Sequence, residues 1–391
     1  MLTSVALIFL CGLLLGGIFQ KLHLPSLLGM IITGIVLGPH VLNLLDDSLM
    51  AVSGDLRQLA LVIILTRAGL SLNIADLKRV GRPAVLMCFV PACFEVIGTI
   101  LLAPPLLGVT VLEAAVMGSV MAAVSPAVIV PRMIKIMESG YGKEHSIPQL
   151  ILAGASVDDV FVIVMFTAFS GMAAGGDLKA GDFLRIPASI GLGILTGILV
   201  GLCLVWFFKK LHMRDSVKIL VILSLSFLLI EAQNQLEDIV SFSALLAIMS
   251  IGIVVKQKYD VLAIRLSGKY NKLWVGAEVM LFVLVGASVD LKYAVAAGTM
   301  AVVLVILALV FRMVGVLLCL VKTKLTWKER VFCMLAYLPK ATVQAAIGAI
   351  PLSMGFACGQ IVLTVAVLSI LITAPVGAIC VDTLYKRLLE K

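Results

Sequence analysis

Two adjacent carboxylates, Asp158 and Asp159, lie within the apolar stretch GASVDDVFVIV at residues 154–164. Charged groups inside a membrane span are costly, so they are rare and usually functional. An ionised carboxylate is a hard oxygen ligand for a cation. In a low-dielectric cavity the pKa of a carboxyl group rises toward the physiological range. One such group can therefore hold either a proton or a cation, and this competition is sufficient for exchange.

Adjacent residues of a helix point roughly 100° apart, so the two carboxylates do not form a face-to-face acid pair. We expect one of them to face a cavity and the other to face a neighbouring helix. The pair Asp158 and Asp159 is the predicted site for a monovalent cation and a proton. The alternative is a structural pair of carboxylates capped by a neighbouring helix.

Two prolines in other apolar stretches have polar neighbours. Ser125 precedes Pro126, and its hydroxyl oxygen is a further candidate ligand of the cation. Lys340 follows Pro339, where its charge can neutralise carbonyl ends or pair with an aspartate. Gln344, one turn beyond Lys340, is a second candidate ligand.

Glu95 and Arg312 are a further acid and base within apolar stretches. A buried arginine needs a carboxylate partner, and we expect Glu95 to be that partner in a structural ion pair, which would leave Asp158 free. The alternative is that Arg312 pairs with Asp158.

The composition places these residues in a membrane protein. Of 391 residues, 62% are hydrophobic and 13% are charged, and the mean hydropathy is +1.17. About 20 apolar residues cross a bilayer as a helix. Thirteen such segments are predicted, at residues 3–20, 25–44, 57–74, 83–107, 111–137, 149–174, 184–208, 216–232, 240–255, 273–290, 294–321, 329–354 and 358–381. We therefore expect an all-α polytopic membrane protein.

The basic residues predict the orientation of these segments. Of 30 lysines and arginines, 23 fall in one set of alternate loops together with the C-terminus, four fall in the other set, and three lie within spans. Cytoplasmic loops carry such an excess of positive charge. The N-terminus is therefore predicted outside and the C-terminus in the cytoplasm. Topology accounts for the net charge of +8, and nucleic acid is not an expected partner.

Matching residues in the two halves of the chain indicate an inverted repeat. Gly69 and Ser71 match Gly286 and Ser288 at an offset of 217, and the same offset relates Glu95 to Arg312. Pro126 and Pro339 match at 213. The matched segments are seven spans apart. Because seven is odd, the segments of the second half cross the membrane in the opposite direction to those of the first half. A mid-span proline disrupts the helix at its own turn, so we expect two broken crossing helices, with simple kinks as the alternative.

Three motifs together resemble one known family. The stretches VSPAVIVP (124–131), GASVDDV (154–160) and YLPKATVQAAIG (337–348) are similar to the cation/proton antiporter superfamily, most of all to its sodium/proton antiporter NHA subgroup. The resemblance implies that Asp159 is the essential cation and proton ligand and that Asp158 is its partner. Arg312 stands where many electrogenic relatives carry a lysine, and arginine does not deprotonate at accessible pH.

The resemblance also implies a homodimer with two domains that move against each other. The core domain corresponds to residues 83–174 and 294–381, and the dimerisation domain to residues 1–74 and 184–290. The long hydrophilic N-terminal tail of the animal members is missing, so a bacterial inner membrane is the expected location.

The expected function is exchange of sodium or lithium for protons, without a cofactor. A potassium/proton antiporter is the next alternative, followed by an organic-anion symporter on the same fold. An intramembrane aspartyl protease is disfavoured, because such enzymes need two aspartates on separate helices, whereas here they are adjacent. We therefore do not expect an enzyme.

Overall fold

The structure is a computed structural model that describes residues 1–72, 81–174, 182–211, 213–236 and 242–391. These residues form helices joined by turns and loops, and they contain no β-strand. The predicted basic loop residues Lys78, Arg79 and Lys179 lie outside the described residues. The helices are α1 Leu2–Lys21, α2 Ser26–Leu37, α3 Asp47–Ala51, α4 Ser53–Ser71, α5 Arg82–Met87, α6 Val90–Leu107, α7 Val111–Met121, α8 Pro126–Glu138, α9 Ile147–Ala174, α10 Asp182–Lys210, α11 Asp215–Leu236, α12 Ala244–Lys258, α13 Asp260–Ala287, α14 Leu291–Cys319, α15 Trp327–Ala336, α16 Thr342–Ile347, α17 Ile350–Ser353 and α18 Gly359–Leu388.

Each of the thirteen predicted segments overlaps one or more of these helices, which confirms the all-α membrane fold. Within the described residues, eight helical stretches are long and apolar enough to cross a membrane. Some predicted boundaries are wrong, and the last segment, predicted to end at residue 381, continues to Leu388. The helix predicted to reach residue 44 ends at Leu37, where Gly38 takes up an extended conformation. The helix predicted to begin at residue 273 begins at Asp260 and includes Arg265, Lys269 and Lys272, which were assigned to a loop.

The two predicted broken helices are present. The first consists of α7 and α8, separated by residues 122–125, and the second continues from α15 across residues 337–341 into α16. Pro126 is the first residue of α8, where a missing N–H costs little because that position has no intrahelical acceptor. The Ser125 N–H donates to the Pro339 carbonyl at 2.8 Å, so the two breaks bind each other directly.

Both broken helices begin with the same motif. Thr110 and Glu113 form a capping box at the start of α7, and Thr326 and Glu329 form one at the start of α15. In each box the threonine hydroxyl accepts from the backbone of the glutamate, and the carboxylate accepts from the backbone of the threonine. These bonds satisfy N–H groups that have no partner within the helix. The two boxes lie at equivalent positions of the two halves.

Close packing holds the second break in place. The hydroxyl of Tyr337 lies against Gly154 of α9 so closely that a Cβ at residue 154 would clash with it. A Cβ at Gly377 of α18 would likewise overlap the ring of Pro339. Glycine is required at both positions because the break approaches the helix backbone.

The described residues form two compact units. One comprises Met1–Arg57, Ile74–Val162 and Val279–Lys391, and it contains both broken helices. Its apolar core includes Met87, Ile129, Ile151 and Phe332. The other comprises Gln58–Asn73 and Ile163–Glu278. The division into a core domain and a dimerisation domain, with the boundaries given above, stays a prediction.

Candidate functional site

Asp158 and Asp159 lie on α9 and have different surroundings, as expected for neighbours on a helix. Asp158 is fully buried. Its Oδ2 accepts a hydrogen bond from the Val124 N–H at 2.7 Å and one from Arg312 Nη2 at 3.2 Å. Asp159 is 7% exposed, and within the described part of the chain its Oδ1 has no hydrogen-bond partner. Asp158 is therefore neutralised, whereas the charge of Asp159 has no bound counterpart.

Arg312 on α14 joins four groups through its planar guanidinium. Nη1 binds Glu95 Oε2 at 2.9 Å and also donates to the Ala122 carbonyl, while Nε donates to the Tyr337 carbonyl at 2.8 Å. Nη2 binds Asp158. The expected pairing with Glu95 is present, but the expectation that it leaves Asp158 free is wrong. A guanidinium has five N–H donors pointing in fixed directions, so one arginine holds both carboxylates.

Lys340 reaches Glu95 from the second break. Its Nζ lies 2.6 Å from Glu95 Oε1 and donates to the Met121 carbonyl at 2.5 Å. The predicted neutralisation of carbonyl ends is therefore found, but the carboxylate partner is Glu95 and not an aspartate. The Lys340 backbone N–H donates to Thr373 Oγ1 at 2.9 Å, which holds the break against α18.

The side chain of Gln344 is hydrogen-bonded to the first break, so it is not placed as a free ligand for a cation. Its Nε2 donates to the carbonyls of Met121 at 3.1 Å and Ala123 at 2.8 Å. Its Oε1 accepts from the Ala341 N–H at 2.9 Å. These bonds satisfy carbonyl groups at the end of α7 that have no helical partner.

An ionised Asp159 leaves the buried charges of this cluster out of balance. Glu95 and Asp158 carry two negative charges against the two positive charges of Arg312 and Lys340, all with 1% exposure or less. An ionised Asp159 adds a fifth charge. Leaving a buried charge without a partner is strongly unfavourable, so the arrangement requires a positive charge or a proton at Asp159.

Three buried oxygens in this region are available to such a cation. Asp159 Oδ1, Asp158 Oδ1 and Ser125 Oγ have no hydrogen-bond partner among the described residues. Ser125 precedes α8 but makes no capping bond through its side chain. Carboxylate and hydroxyl oxygens suit a hard cation. Within the described residues no three His, Cys, Asp or Glu side chains form a metal-binding group.

The sequence did not predict the parts that Tyr337 and Thr373 play. The Tyr337 carbonyl accepts from Arg312, and the guanidinium carbon lies 5.6 Å from the centre of the tyrosine ring. Thr373 lies on α18, far from the break in sequence. Tyr337 lies at the end of α15, two residues before Pro339. That position beside the break was the only feature of the sequence that could have indicated its role.

Comparisons with known proteins place the chain in a family. Residues 5–387 match the family described as "Sodium/hydrogen exchanger, transmembrane". The human protein named "Sodium/hydrogen exchanger 9B2" is 31% identical over 421 residues, covering 100% of this chain and 75% of that protein. Human "Sodium/hydrogen exchanger 9B1" is 29% identical over 422 residues, covering 100% and 78%.

A solved structure shares the fold. The sodium proton antiporter MjNhaP1 from Methanocaldococcus jannaschii, solved at pH 8, superposes with a TM-score of 0.85 at 20% sequence identity. The match covers 100% of this chain and 99% of that chain. The family match spans nearly the whole sequence. This chain belongs to the sodium/hydrogen exchanger family of membrane proteins.

Proposed function

We propose that the chain exchanges sodium for protons across the membrane and that both ions use the carboxylate of Asp159 in turn. The observation that carries this proposal is the contrast on α9. Asp158 is held by Arg312 and by the Val124 N–H, whereas Asp159 is nearly buried with an oxygen that lacks a partner. Asp158 Oδ1 and Ser125 Oγ are the proposed additional cation ligands.

The charge balance explains why the two ions are coupled. An ionised Asp159 without a cation is a buried, uncompensated charge, and the resulting cost opposes any movement of the empty site through the membrane. Either a proton or a sodium ion removes that charge. The site therefore changes its access from one side to the other while loaded, and the ions cross in opposite directions.

The other buried charges position the site. Arginine stays protonated at accessible pH, so Arg312 is not the proton carrier. Lys340 is bound to Glu95 and to the Met121 carbonyl. These contacts support a role for both cations in holding the crossing of the broken helices, with Asp159 as the group that changes its proton.

The test compares Asp159→Asn with wild type in proteoliposomes. Asparagine keeps the size of the side chain but removes its charge and its titratable proton, so we expect sodium-driven proton flux to be lost in a folded protein. Asp158→Asn should impair exchange less completely. Asp382→Asn is the matched control, because Asp382 is 36% exposed and pairs with Arg132. Near wild-type exchange by Asp159→Asn would overturn the proposal.

Competition between the ions makes the apparent sodium affinity depend on pH. A protonated carboxyl group does not bind sodium. Below the pKa of the site, each unit by which the pH falls should therefore raise the apparent sodium dissociation constant about tenfold. Well above that pKa the constant should level off. Titration of flux with sodium at several pH values measures this. A constant that stays flat from acid to alkaline pH would show that the two ions use separate sites.

The same assay addresses selectivity. Sodium is named in the matched family and in its relatives, and no feature of the described residues favours potassium or an organic anion. We propose sodium with lithium as an alternative cargo, and comparison of sodium, lithium and potassium gradients tests this.

We also propose a homodimer in a bacterial inner membrane, with the N-terminus outside and the C-terminus in the cytoplasm. The excess of basic residues in alternate loops supports this orientation. Cysteine labelling from either side of right-side-out vesicles, at a residue introduced near each terminus, tests it.

A further inference from the structure

A basic cavity lies in the unit formed by Gln58–Asn73 and Ile163–Glu278, which does not contain Asp158 and Asp159. Its volume is about 570 Å³, within the range of about 300–1,000 Å³ typical of small-molecule sites. Five of its lining side chains are cationic and one is anionic. These six are Lys209, Arg214, Lys218, Arg265, Lys269 and Asp215.

Three helices supply five of these residues, and Arg214 directly precedes α11. Lys209 lies in the last turn of α10, and Asp215 begins α11. Arg265 and Lys269 stand one turn apart on the part of α13 that precedes its apolar segment. The N-terminus of α11, a helix of 22 residues, therefore opens at the cavity. Its N–H groups and the positive end of its dipole favour an anion there.

The cations are only partly compensated within the protein. Asp215 binds Arg265 through Oδ2 at 3.2 Å, and its Oδ1 lies 3.8 Å from Lys218 Nζ. Among the described residues, the contact of Lys269 Nζ is with a neutral oxygen, Ser216 Oγ at 3.5 Å. One carboxylate thus faces five positive charges in the described lining.

Lys218 is the most unusual member of the cavity. It is 4% exposed, yet among the described residues its closest carboxylate oxygen is the one at 3.8 Å, and its Nζ lies 5.6 Å from the centre of the Phe208 ring. A buried ammonium group needs a close anionic or hydrogen-bonding partner. An anion bound in the cavity would provide that partner.

The surroundings indicate where such an anion comes from. Large apolar side chains beside the cavity are exposed, including Trp206 at 64% and Leu220 at 62%. Lys210 lies 5.0 Å from the Trp206 ring centre. Exposed apolar residues together with tryptophan and lysine at helix ends are typical of the membrane surface, where phospholipid headgroups lie.

We infer that this cavity binds a phosphate-bearing anion. Two sources offer that chemistry, the headgroup of an anionic phospholipid and free inorganic phosphate or pyrophosphate. A zwitterionic choline headgroup brings a cation into a cavity with excess positive charge, so it binds more weakly. Basic cavities between membrane helices bind anionic headgroups in this way.

The test measures thermal unfolding of the purified full chain in neutral detergent as each probe is titrated. The probes are dioleoylphosphatidylglycerol, dioleoylphosphatidylcholine and sodium pyrophosphate. We expect a saturable rise in the unfolding temperature with at least one of the two anionic probes, phosphatidylglycerol and pyrophosphate, and none with phosphatidylcholine. The double variant Arg265→Gln/Lys269→Gln changes two exposed residues. It should raise the dissociation constant by about tenfold or more.

Two further variants control for charge and folding. Lys322→Gln/Lys324→Gln removes the same charge from exposed residues elsewhere and should bind as wild type does. Asp215→Asn removes the one carboxylate of the lining and should strengthen binding. A response to phosphatidylglycerol alone identifies a lipid headgroup, and a saturable response to pyrophosphate identifies a soluble source. The inference is overturned if neither anionic probe saturates, or if the cavity and control double variants bind equally well.

Discussion

The two broken helices begin alike and differ at their breaks. Each begins with a threonine and a glutamate that form a capping box, Thr110 with Glu113 and Thr326 with Glu329. At the break, the first helix has the uncharged sequence AAVS at residues 122–125, whereas the second has YLPKA at residues 337–341. The two helices therefore share a motif where they begin and differ in charge where the breaks meet.

The difference makes the breaks complementary. Residues 121–123 of the first helix offer carbonyl oxygens, and these accept from Lys340, Gln344 and Arg312. Lys340 and Gln344 belong to the second helix. Cations at the C-terminal end of a helix also interact favourably with its dipole. Each break has backbone groups that bind residues of the other half, including the Ser125 N–H with the Pro339 carbonyl, so the site requires both halves to be folded together.

The largest effect should follow loss of Arg312, which binds both breaks and two carboxylates. Arg312→Met strands the charge of Asp158 and leaves Glu95 with Lys340 alone, and we expect the unfolding free energy to fall by about 3–5 kcal/mol. Arg132→Met removes an exposed ion pair from α8 and should cost under about 1 kcal/mol. Denaturant unfolding in detergent measures both.

A double-mutant cycle sharpens the same comparison. The double variant Glu95→Gln/Arg312→Met should lose less stability than the sum of the two single losses, because the residues interact directly. Strictly additive losses would contradict the contact between them.

A smaller effect is expected from Lys340→Gln, which removes the charge that the second break supplies to the first. Glu95 keeps Arg312 and the Met121 carbonyl keeps Gln344, so we expect a loss of about 1–3 kcal/mol in unfolding free energy. Adding Glu95→Gln should reduce the cost of Lys340→Gln, since the carboxylate that would be stranded is gone. Equal costs in the two backgrounds would argue against the pair.

Ser125→Ala tests the first break without disturbing its packing. The hydroxyl has no partner within the described residues, so stability should change by less than about 0.5 kcal/mol. If the hydroxyl binds the cation, the apparent sodium constant rises several-fold in the flux assay. Ser119→Ala is the control, because its hydroxyl binds the Val116 carbonyl at 2.7 Å and should affect stability alone. An unchanged sodium constant in Ser125→Ala would remove Ser125 from the ligands.

The smallest effect concerns a difference between the two capping boxes. Glu329 of the second box also contacts His145 Nδ1 at 2.9 Å. The hydrogen bond to Glu329 raises the pKa of His145, aided by the charges of Glu329, Glu144 and Glu390 and opposed by desolvation. A raised folded-state pKa adds stability below the unfolded pKa of about 6.5, and this stability is lost as pH rises through the folded pKa.

His145→Gln should therefore lower stability at about pH 5 by less than about 1 kcal/mol, with no effect at about pH 9. Thermal unfolding at both values measures this difference, and Lys143→Gln in the same loop is the control for a change of charge. A larger effect at alkaline than at acidic pH would contradict the assigned sign.

Local chemistry allowed much of this fold to be predicted. Apolar length identified the helical segments, and Pro126 and Pro339 marked both breaks, because a proline in the middle of a span removes an intrahelical hydrogen bond. The predicted start of α13 was wrong because Arg265, Lys269 and Lys272 look like a loop to a hydropathy argument. A helix tolerates such charges where it extends beyond the apolar layer, and Asp260 in its first turn favours that start.

The residue types in the sequence determined that buried charges exist and must be compensated, and they singled out Asp158 and Asp159. Only the tertiary structure decided which groups compensate which. Arg312 binds Asp158, 154 residues away in sequence, and Glu95, 217 residues away. It also donates hydrogen bonds to a backbone carbonyl of each break. Such contacts depend on how helices pack and on where their backbones are interrupted. Asp159 differs from Asp158 because one step along a helix turns a side chain away from the arginine, and packing determines what it then faces.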